Sequence, residues 1–483
     1  MFVLAIDQGT TNTKALVFAQ NGEVVRSASA SCHTDYPHPG WAEQSASEIW
    51  ATTRQVIGET CAGIEAEIEA IGISNQRETL VVWDATTGEP VGPAPIWQCR
   101  RTADECAALI ETGHSEEVSA LTGLGINPLF PASKLAWVLK NRPEAEDLYR
   151  AGRLRAGTVD SWLLWNLTGR QVFATDHSNA SRTLLFDTAR LAWGPRLGEV
   201  FGAPLDCLAT PMPSDSRFGE TAEGATTLPA GIPIHAIMGD SHAALFGHGV
   251  RGPGKVKATY GTGSSLMTLT QQRTVSRHGL SGTIAWTQNG KTAHALEGNI
   301  TVSAQAAAFM AEMLGLDGPA ALSDLAQQVP DNGGVCFVPA LAGLGAPHWQ
   351  DDARGLVSGL SLGSRPAHLA RATFEAIAHQ VADVFEAMEE DLGHPLDGLS
   401  ADGGASANAF LMQLQADVIG KAVERRKIPE IGAFGVASMA AEALGKPIEA
   451  GSQEIQIFHP AADSSARCTL RDQWKITLAR ACL

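Results

Sequence analysis

The sequence predicts an α/β fold built from two related halves, on three observations. Apolar, β-rich runs alternate with segments of helical periodicity along most of the chain. Residues 3–6 and 15–18 are strand-like runs joined by Gly9-Thr10-Thr11-Asn12, which reads as a hairpin. The same layout of strand, Gly/Thr/Ser turn and strand returns at 255–260, Gly261-Thr262-Gly263-Ser264-Ser265 and 266–270. At 483 residues the chain is too long for one hydrophobic core, and the two domains are placed at 1–245 and 246–483.

Taken in order, the hairpin is followed by the turn Asn21-Gly22 and a third strand at 24–30, then a loop at 36–41. Residues 45–61 have helical spacing of Ile49, Trp50, Val56 and Ile57 behind a Ser45 cap. Residues 64–73 end in a buried strand that delivers Ser74-Asn75-Gln76-Arg77-Glu78, and 80–83 form another strand with its turn at Thr86-Thr87-Gly88. Helices are expected at 102–112, 133–152 and 195–210, with a strand running into a helix at 155–165. A second unit is expected to open near Pro233, where a buried strand at 234–238 delivers Gly239-Asp240-Ser241-His242. Strands follow at 255–260, 266–270, 282–286 and 292–297, then helices at 301–314, 318–328, 366–392, 405–420 and 432–444. The Gly-rich loop from Asp402 to Asn408 runs directly into a helix, an arrangement that points N–H groups at an anion. The tail from about 450 lacks clear periodicity.

Bulk properties narrow the function. A net charge of −17 argues against general nucleic-acid binding, though a local phosphate site remains compatible with it. No apolar run approaches the roughly 18 residues of a membrane span, and the N-terminus enters a strand without the layout of a leader peptide. The eight cysteines are scattered with no CxxC pair, which signals neither a zinc site nor a disulfide scaffold. A cytoplasmic location is the expectation.

The polar residues stand where buried runs end. Asp7 closes the first strand, and a carboxylate there can hold Mg²⁺ through water. The Gly9 backbone and the Thr10 and Thr11 hydroxyls can donate to phosphate oxygens, with Lys14 as the nearby cation. Asp240 can take a hydroxyl proton as oxygen attacks phosphorus, or it can simply cap the following helix. Arg77-Glu78 can grip two hydroxyls or form an internal ion pair, and Trp97 can wall a polyol or fill core. Two motif matches are weaker. The GxxxxGK at 249–255 has Val256 where a P-loop needs Ser or Thr and reads as a loop. Residues 239–243 nearly spell a serine-hydrolase elbow, with Ala243 in the last glycine's place.

Over residues 1–445 these segments resemble the FGGY carbohydrate kinases, and among them the glycerol kinases. The resemblance rests on Ile6-Asp7-Gln8-Gly9-Thr10-Thr11, Pro39-Gly40-Trp41, Asn75-Gln76-Arg77-Glu78-Thr79 and residues 97–102. It continues in Asn179-Ala180-Ser181-Arg182-Thr183, Tyr260-Gly261-Thr262-Gly263, Leu344-Gly345-Ala346-Pro347 and Asp402-Gly403-Gly404, with His368 and Glu375 completing the C-terminal pattern. It implies two ribonuclease-H-like domains of the actin/hexokinase type around a cleft, binding ATP, Mg²⁺ and a small polyol or sugar. It implies Asp240 as base, with Arg77, Glu78, Trp97, Leu129, Ser241 and Ser265 at the acceptor and Asp7 and Asp240 near Mg²⁺. Thr10, Thr11, Asn12, Lys14, Thr262, Ala304, Gly404 and Asn408 fall around the nucleotide. A homodimer or homotetramer is compatible with the same resemblance.

The chain also departs from that pattern. Glycerol kinases usually carry tyrosine where Leu129 stands, glutamine at Ser241, phenylalanine at Ser265 and glycine at Ala304. Lys134 and Trp137 keep the rest of the N-terminal pattern around Leu129. The loop that binds an allosteric sugar bisphosphate in some bacterial glycerol kinases has no match in residues 222–233. A non-metabolic ATPase of the same superfold is the reading from another class, and Arg77-Glu78 with Asp240 discriminates against it.

Overall fold

The computed structural model describes residues 1–426, 430–449 and 455–483. The chain forms two compact units, each assembled from three segments: Met1–Gly249, Gly282–Ala295 and Ile428–Ser452 in the first, and Val250–Ser281, Leu296–Lys427 and Gln453–Leu483 in the second.

The first unit is organised on a six-stranded sheet in the order Gly219–Glu220, Pro233–Gly239, Ile68–Asn75, Phe2–Gln8, Asn12–Ala19, Val24–Ser31. Phe2–Gln8 and Asn12–Ala19 form the antiparallel hairpin, with Asp7 opposite Lys14. Phe2–Gln8 pairs in parallel with Ile68–Asn75, which pairs in parallel with Pro233–Gly239. Asp7 thereby lies beside Ser74, and Gly239 beside Asn75, so three strands end together and deliver Asp7, the Ser74–Glu78 turn and Asp240 to one edge. Residues 3–6 are fully buried because helices cover both sheet faces, which is why the run is continuously apolar rather than alternating. One cover is Ala46–Cys61, whose N-cap Ser45 accepts the Glu48 N–H as its spacing predicted. Another is Ile431–Ala443, which sits so close that a Cβ on Gly72 would come 2.7 Å from the Val436 carbonyl oxygen.

In the second unit Lys255–Tyr260 and Ser264–Thr270 form an antiparallel hairpin, and Lys255–Tyr260 pairs in parallel with Gly398–Asp402. Gly398–Asp402 pairs in parallel with Ala422–Arg426, and Ala422–Arg426 antiparallel with Ile455–Phe458. From hairpin to outer edge this repeats the first unit strand for strand: two parallel neighbours, then one antiparallel edge. The echo between the two Gly/Thr turns in the sequence is therefore an echo of topology. The 27-residue helix Pro366–Leu392 carries much of this unit's core, started by Pro366 and stopped by Gly393 in the left-handed region, φ 70°.

Four expectations need correction. The strand expected to open a second unit near Pro233 is a central strand of the first unit's sheet. The helix expected at 133–152 is two, Pro131–Asn141 and Pro143–Arg150, because Arg142 precedes a proline and is pushed to extended backbone, φ −125° and ψ 97°. The helix expected at 195–210 ends at Phe201, where Gly202 turns left-handed at φ 64°. Residues 405–420 divide into a 3₁₀ turn, Gly404–Ala407, and the helix Ala409–Ile419 capped by Asn408. The tail, for which the sequence shows no clear periodicity, carries strand Ile455–Phe458 and helix Ser464–Ala481. Among the described residues no helix is long and apolar enough to cross a membrane, and all eight cysteines are free thiols.

Candidate functional site

In the first unit the residues singled out from sequence gather where the three strands end. Ser74 Oγ donates to Asp7 Oδ1 at 2.7 Å. Asp240 opens the helix Asp240–Gly247, and its Oδ1 accepts both the Ser241 N–H at 2.6 Å and Arg77 Nε at 3.1 Å. Lys14 Nζ pairs with Glu430 Oε1 at 2.6 Å. Burial is the largest influence on Asp7 and, with the Asp240 and Glu430 carboxylates, pushes it up to about 6 against the pull of Ser74 and Lys14. Gly432 faces this cluster, where a Cβ would stand 3.5 Å from Ser74 Oγ and 3.9 Å from Asp7 Oδ1. Two clustered carboxylates and a space kept open by a glycine suit a hydrated divalent cation of the hard, oxygen-loving kind.

The residues that the family resemblance puts at the acceptor are held by a second set of contacts. Glu78 is buried with a left-handed backbone, φ 61°, a strained conformation for a residue with a side chain. Its Oε1 accepts Arg182 Nε at 2.7 Å and lies 4.0 Å from Arg77 Nε. Trp97 is 37% exposed, and its indole N–H donates to Thr10 Oγ1 at 2.8 Å, tying Trp97 to the first hairpin. The hairpin is braced further by Gln44 Nε2, which donates to the Thr10 carbonyl at 2.6 Å, and by Gln76 Nε2, which bridges Gln8 and Gln44 at 3.1 and 2.9 Å.

Lys134 gathers this side of the site. Its Nζ is fully buried and donates to the carbonyls of Leu129, Ile96 and Glu78 at 2.7, 2.8 and 3.2 Å. One ammonium thus fixes the three segments that carry Leu129, Trp97 and Glu78. Burial pushes it down to about 7, and its three hydrogen-bond donors meet three carbonyl acceptors. Lys134, Ser74, Arg182, Gln44 and Glu430 carried no assigned role in the sequence reading. Lys134 and Arg182 were visible there only as parts of a matching pattern, and a buried cation declares itself only once its partners are known.

The turn of the first hairpin closes through Gly9 N–H to the Asn12 carbonyl, 2.9 Å, leaving Thr11 exposed, while Asn12 Oδ1 accepts Ser31 Oγ at 3.3 Å. In the second unit Thr262 is exposed on its turn, and Ala304 N–H donates to the Gly261 carbonyl at 3.1 Å. Ser265 Oγ donates to Glu297 Oε1 at 3.0 Å, and Glu297 is buried. Gly403 has φ 86° and approaches the Tyr260 carbonyl so closely that a Cβ would stand 2.5 Å from it, so this loop is tied to the hairpin's end. Gly404 is exposed beside it, and Asn408 spends its side-chain oxygen on the Leu411 N–H as a helix cap. Lys255, of the GxxxxGK match, begins a strand and pairs with Glu424 at 2.7 Å.

Comparison with known proteins finds relatives over nearly the whole length. Residues 2–247 match the N-terminal domain of the FGGY family of carbohydrate kinases and residues 256–444 its C-terminal domain. A glycerol kinase of Symbiobacterium thermophilum is 47% identical over 92% of this chain and 90% of its own. An apulose kinase of Pectobacterium atrosepticum is 42% identical over 99% of this chain and 98% of its own. The crystal structure of Plasmodium falciparum glycerol kinase with ADP superimposes with a TM-score of 0.93 at 29% identity, covering 100% of this chain and 98% of that one.

Proposed function

The chain belongs to the FGGY family of carbohydrate kinases, and from that premise we propose that it transfers the γ-phosphoryl group of ATP to a primary hydroxyl of a polyol or ketose larger than glycerol, with Asp240 as base. It is an ATP-dependent kinase of two actin/hexokinase-like domains, acting on glycerol or a related polyol with Mg²⁺. What supports Asp240 as base is the pair of donors on its Oδ1. Arg77 Nε and the Ser241 N–H hold that oxygen, leaving Oδ2 to take the acceptor's proton. Arg77 and Glu78 orient the acceptor hydroxyls, and Trp97 covers its carbon face. Thr10, Thr11, Asn12 and Lys14 on one hairpin, with Thr262, Ala304, Gly404 and Asn408 of the second unit, serve the nucleotide. Asp7 and Asp240 are the residues to hold Mg²⁺, which when bound neutralises charge on the transferring phosphates. A cytoplasmic enzyme without nucleic-acid or membrane partners, as homodimer or homotetramer, completes the reading.

The acceptor follows from Leu129, Ser241 and Ser265. Glycerol kinases usually place two aromatic rings and a long amide at these positions, so this chain has smaller groups and additional hydroxyls there. A three-carbon acceptor in a wider site is loosely oriented, and rate depends steeply on a held near-attack geometry. The relative named apulose kinase indicates that a chain this similar can act on a sugar. The test is an ADP-release screen over glycerol, erythritol, threitol, xylitol, ribitol and C5 ketoses. At least one four- or five-carbon acceptor is expected to exceed glycerol in kcat/KM by about tenfold, the discrimination that one or two added pocket contacts give. Glycerol at the head of the series overturns the enlarged acceptor.

A further inference from the structure

A short buried segment behind the site bonds the chain at or beside Asp240, Arg77 and Glu78. Asp176 caps the one-turn helix His177–Ala180, accepting the Ser178 and Asn179 N–H groups at 2.9 Å each. The same carboxylate accepts Ser178 Oγ at 2.9 Å, Asn179 Nδ2 at 2.8 Å and Ser214 Oγ at 2.7 Å, so both side chains are locked before they meet anything else. Ser178 Oγ then accepts the N–H of Gly239, the residue before Asp240, at 3.0 Å. The Asn179 amide exchanges two 3.0 Å hydrogen bonds with the amide of Asn75, two residues before Arg77. Arg182, one turn further on, donates to Glu78. Asp176, Ser178, Asn179 and Arg182 are all at most 1% exposed.

We propose that Asp176, Ser178, Asn179 and Arg182 form a positioning brace that sets Asp240, Arg77 and Glu78 in register with one another. None of the four is placed at substrate; they act through Gly239, Asn75 and Glu78. The physical need is clear from the chain. Asp240 and Arg77 leave the ends of two neighbouring strands, and at those ends ladder hydrogen bonds no longer fix the backbone. The contact between the two arms is tight: a Cβ on Gly239 would stand 2.6 Å from Arg77 Cγ. A slip of either strand end moves base and guanidinium together or apart, and the hydrogen bonds from Ser178 and Asn179 prevent that slip. The proposal rests on Asp240, Arg77 and Glu78 serving the acceptor.

Ser181 supplies the control, because it lies on the same stretch with equal burial but its Oγ bonds the Ser178 carbonyl and Thr283 Oγ1, both 2.8 Å, rather than an arm of the site. Ser178→Ala and Asn179→Ala are each expected to lower kcat about ten- to a hundredfold, the cost of misplacing reacting groups by a fraction of an ångström to an ångström, with KM for ATP changed less than about twofold. Ser181→Ala is expected to lose thermal stability to a similar degree with kcat within about twofold of wild type, a comparison made at matched folded fraction. Equal kcat losses in Ser178→Ala and Ser181→Ala, or wild-type kcat in both folded brace variants, overturn the brace. Asp240→Asn, measured alongside, separates the two levels: if it keeps wild-type turnover, the reading of the site fails; if it is inactive while the brace variants are not, the brace alone fails.

Discussion

Asp240→Asn lowers kcat by about two to four orders of magnitude, the usual worth of a general base, while acceptor KM moves little. The geometry makes the substitution clean. Asparagine keeps the size of the side chain and presents an oxygen to the Ser241 N–H and Arg77 Nε, the two donors that now meet Oδ1. What it lacks is a basic oxygen to take the hydroxyl proton as the acceptor attacks phosphorus. Because the Asp240 side chain is 45% exposed and stands at a helix start, the fold has little at stake in its charge. Steady-state kinetics on a variant with wild-type thermal midpoint checks it, and near-normal turnover removes Asp240 from the chemistry.

Glu78→Gln is the second large effect, and it falls on stability and acceptor binding together. Glu78 is buried, its Oε1 bonds Arg182, itself 1% exposed, and Arg77 lies within 4.0 Å. Glutamine fills the same volume but removes the carboxylate that Arg182 Nε bonds, while Arg77 keeps its pair with Asp240. Removing one partner of a buried ion pair costs about 3–5 kcal/mol, so the urea midpoint should fall accordingly. Loss of a charge-assisted bond to an acceptor hydroxyl, worth about 1.5–3 kcal/mol, should raise acceptor KM about tenfold or more. KM for ATP is expected to stay close to wild type. A variant with unchanged stability and unchanged acceptor KM contradicts the role given to Glu78.

The sequence disclosed what is local and hid what is distant. The first hairpin was legible because a fully buried strand is a continuous apolar run with a Gly/Thr turn behind it. Ser45 marked a helix start through its capping hydrogen bond, readable from one residue. Pro143 was the signal missed inside 133–152, where apolar spacing ran on across a residue that pushes Arg142 out of helical backbone. The helix Ser464–Ala481 was illegible for another reason: few of its positions, chiefly Arg471, Trp474, Thr477 and Leu478, are buried, so the apolar stripe is too thin to show a period. In the site, Asp7, Arg77, Glu78 and Asp240 stood out as charges at the ends of buried strands. Their supports did not. Lys14 and Glu430 are 416 positions apart, Asn75 and Asn179 are 104 apart, and nothing along the chain announces such pairs before it folds.

The measurement that tests the central claim most directly is acceptor preference before and after the pocket is returned to the usual glycerol kinase pattern. Leu129→Tyr combined with Ser265→Phe restores the two rings. Leu129 is a suitable site because its carbonyl is anchored by Lys134 at 2.7 Å, so the backbone keeps its place as the side chain changes. Ser265 gives up its bond to Glu297. The ratio of kcat/KM for glycerol to that for the best four- or five-carbon acceptor is read in one assay for both proteins. The account predicts a wild-type ratio below one that rises about tenfold or more in the double variant. A wild type that already prefers glycerol, or a double variant with an unchanged ratio, contradicts it.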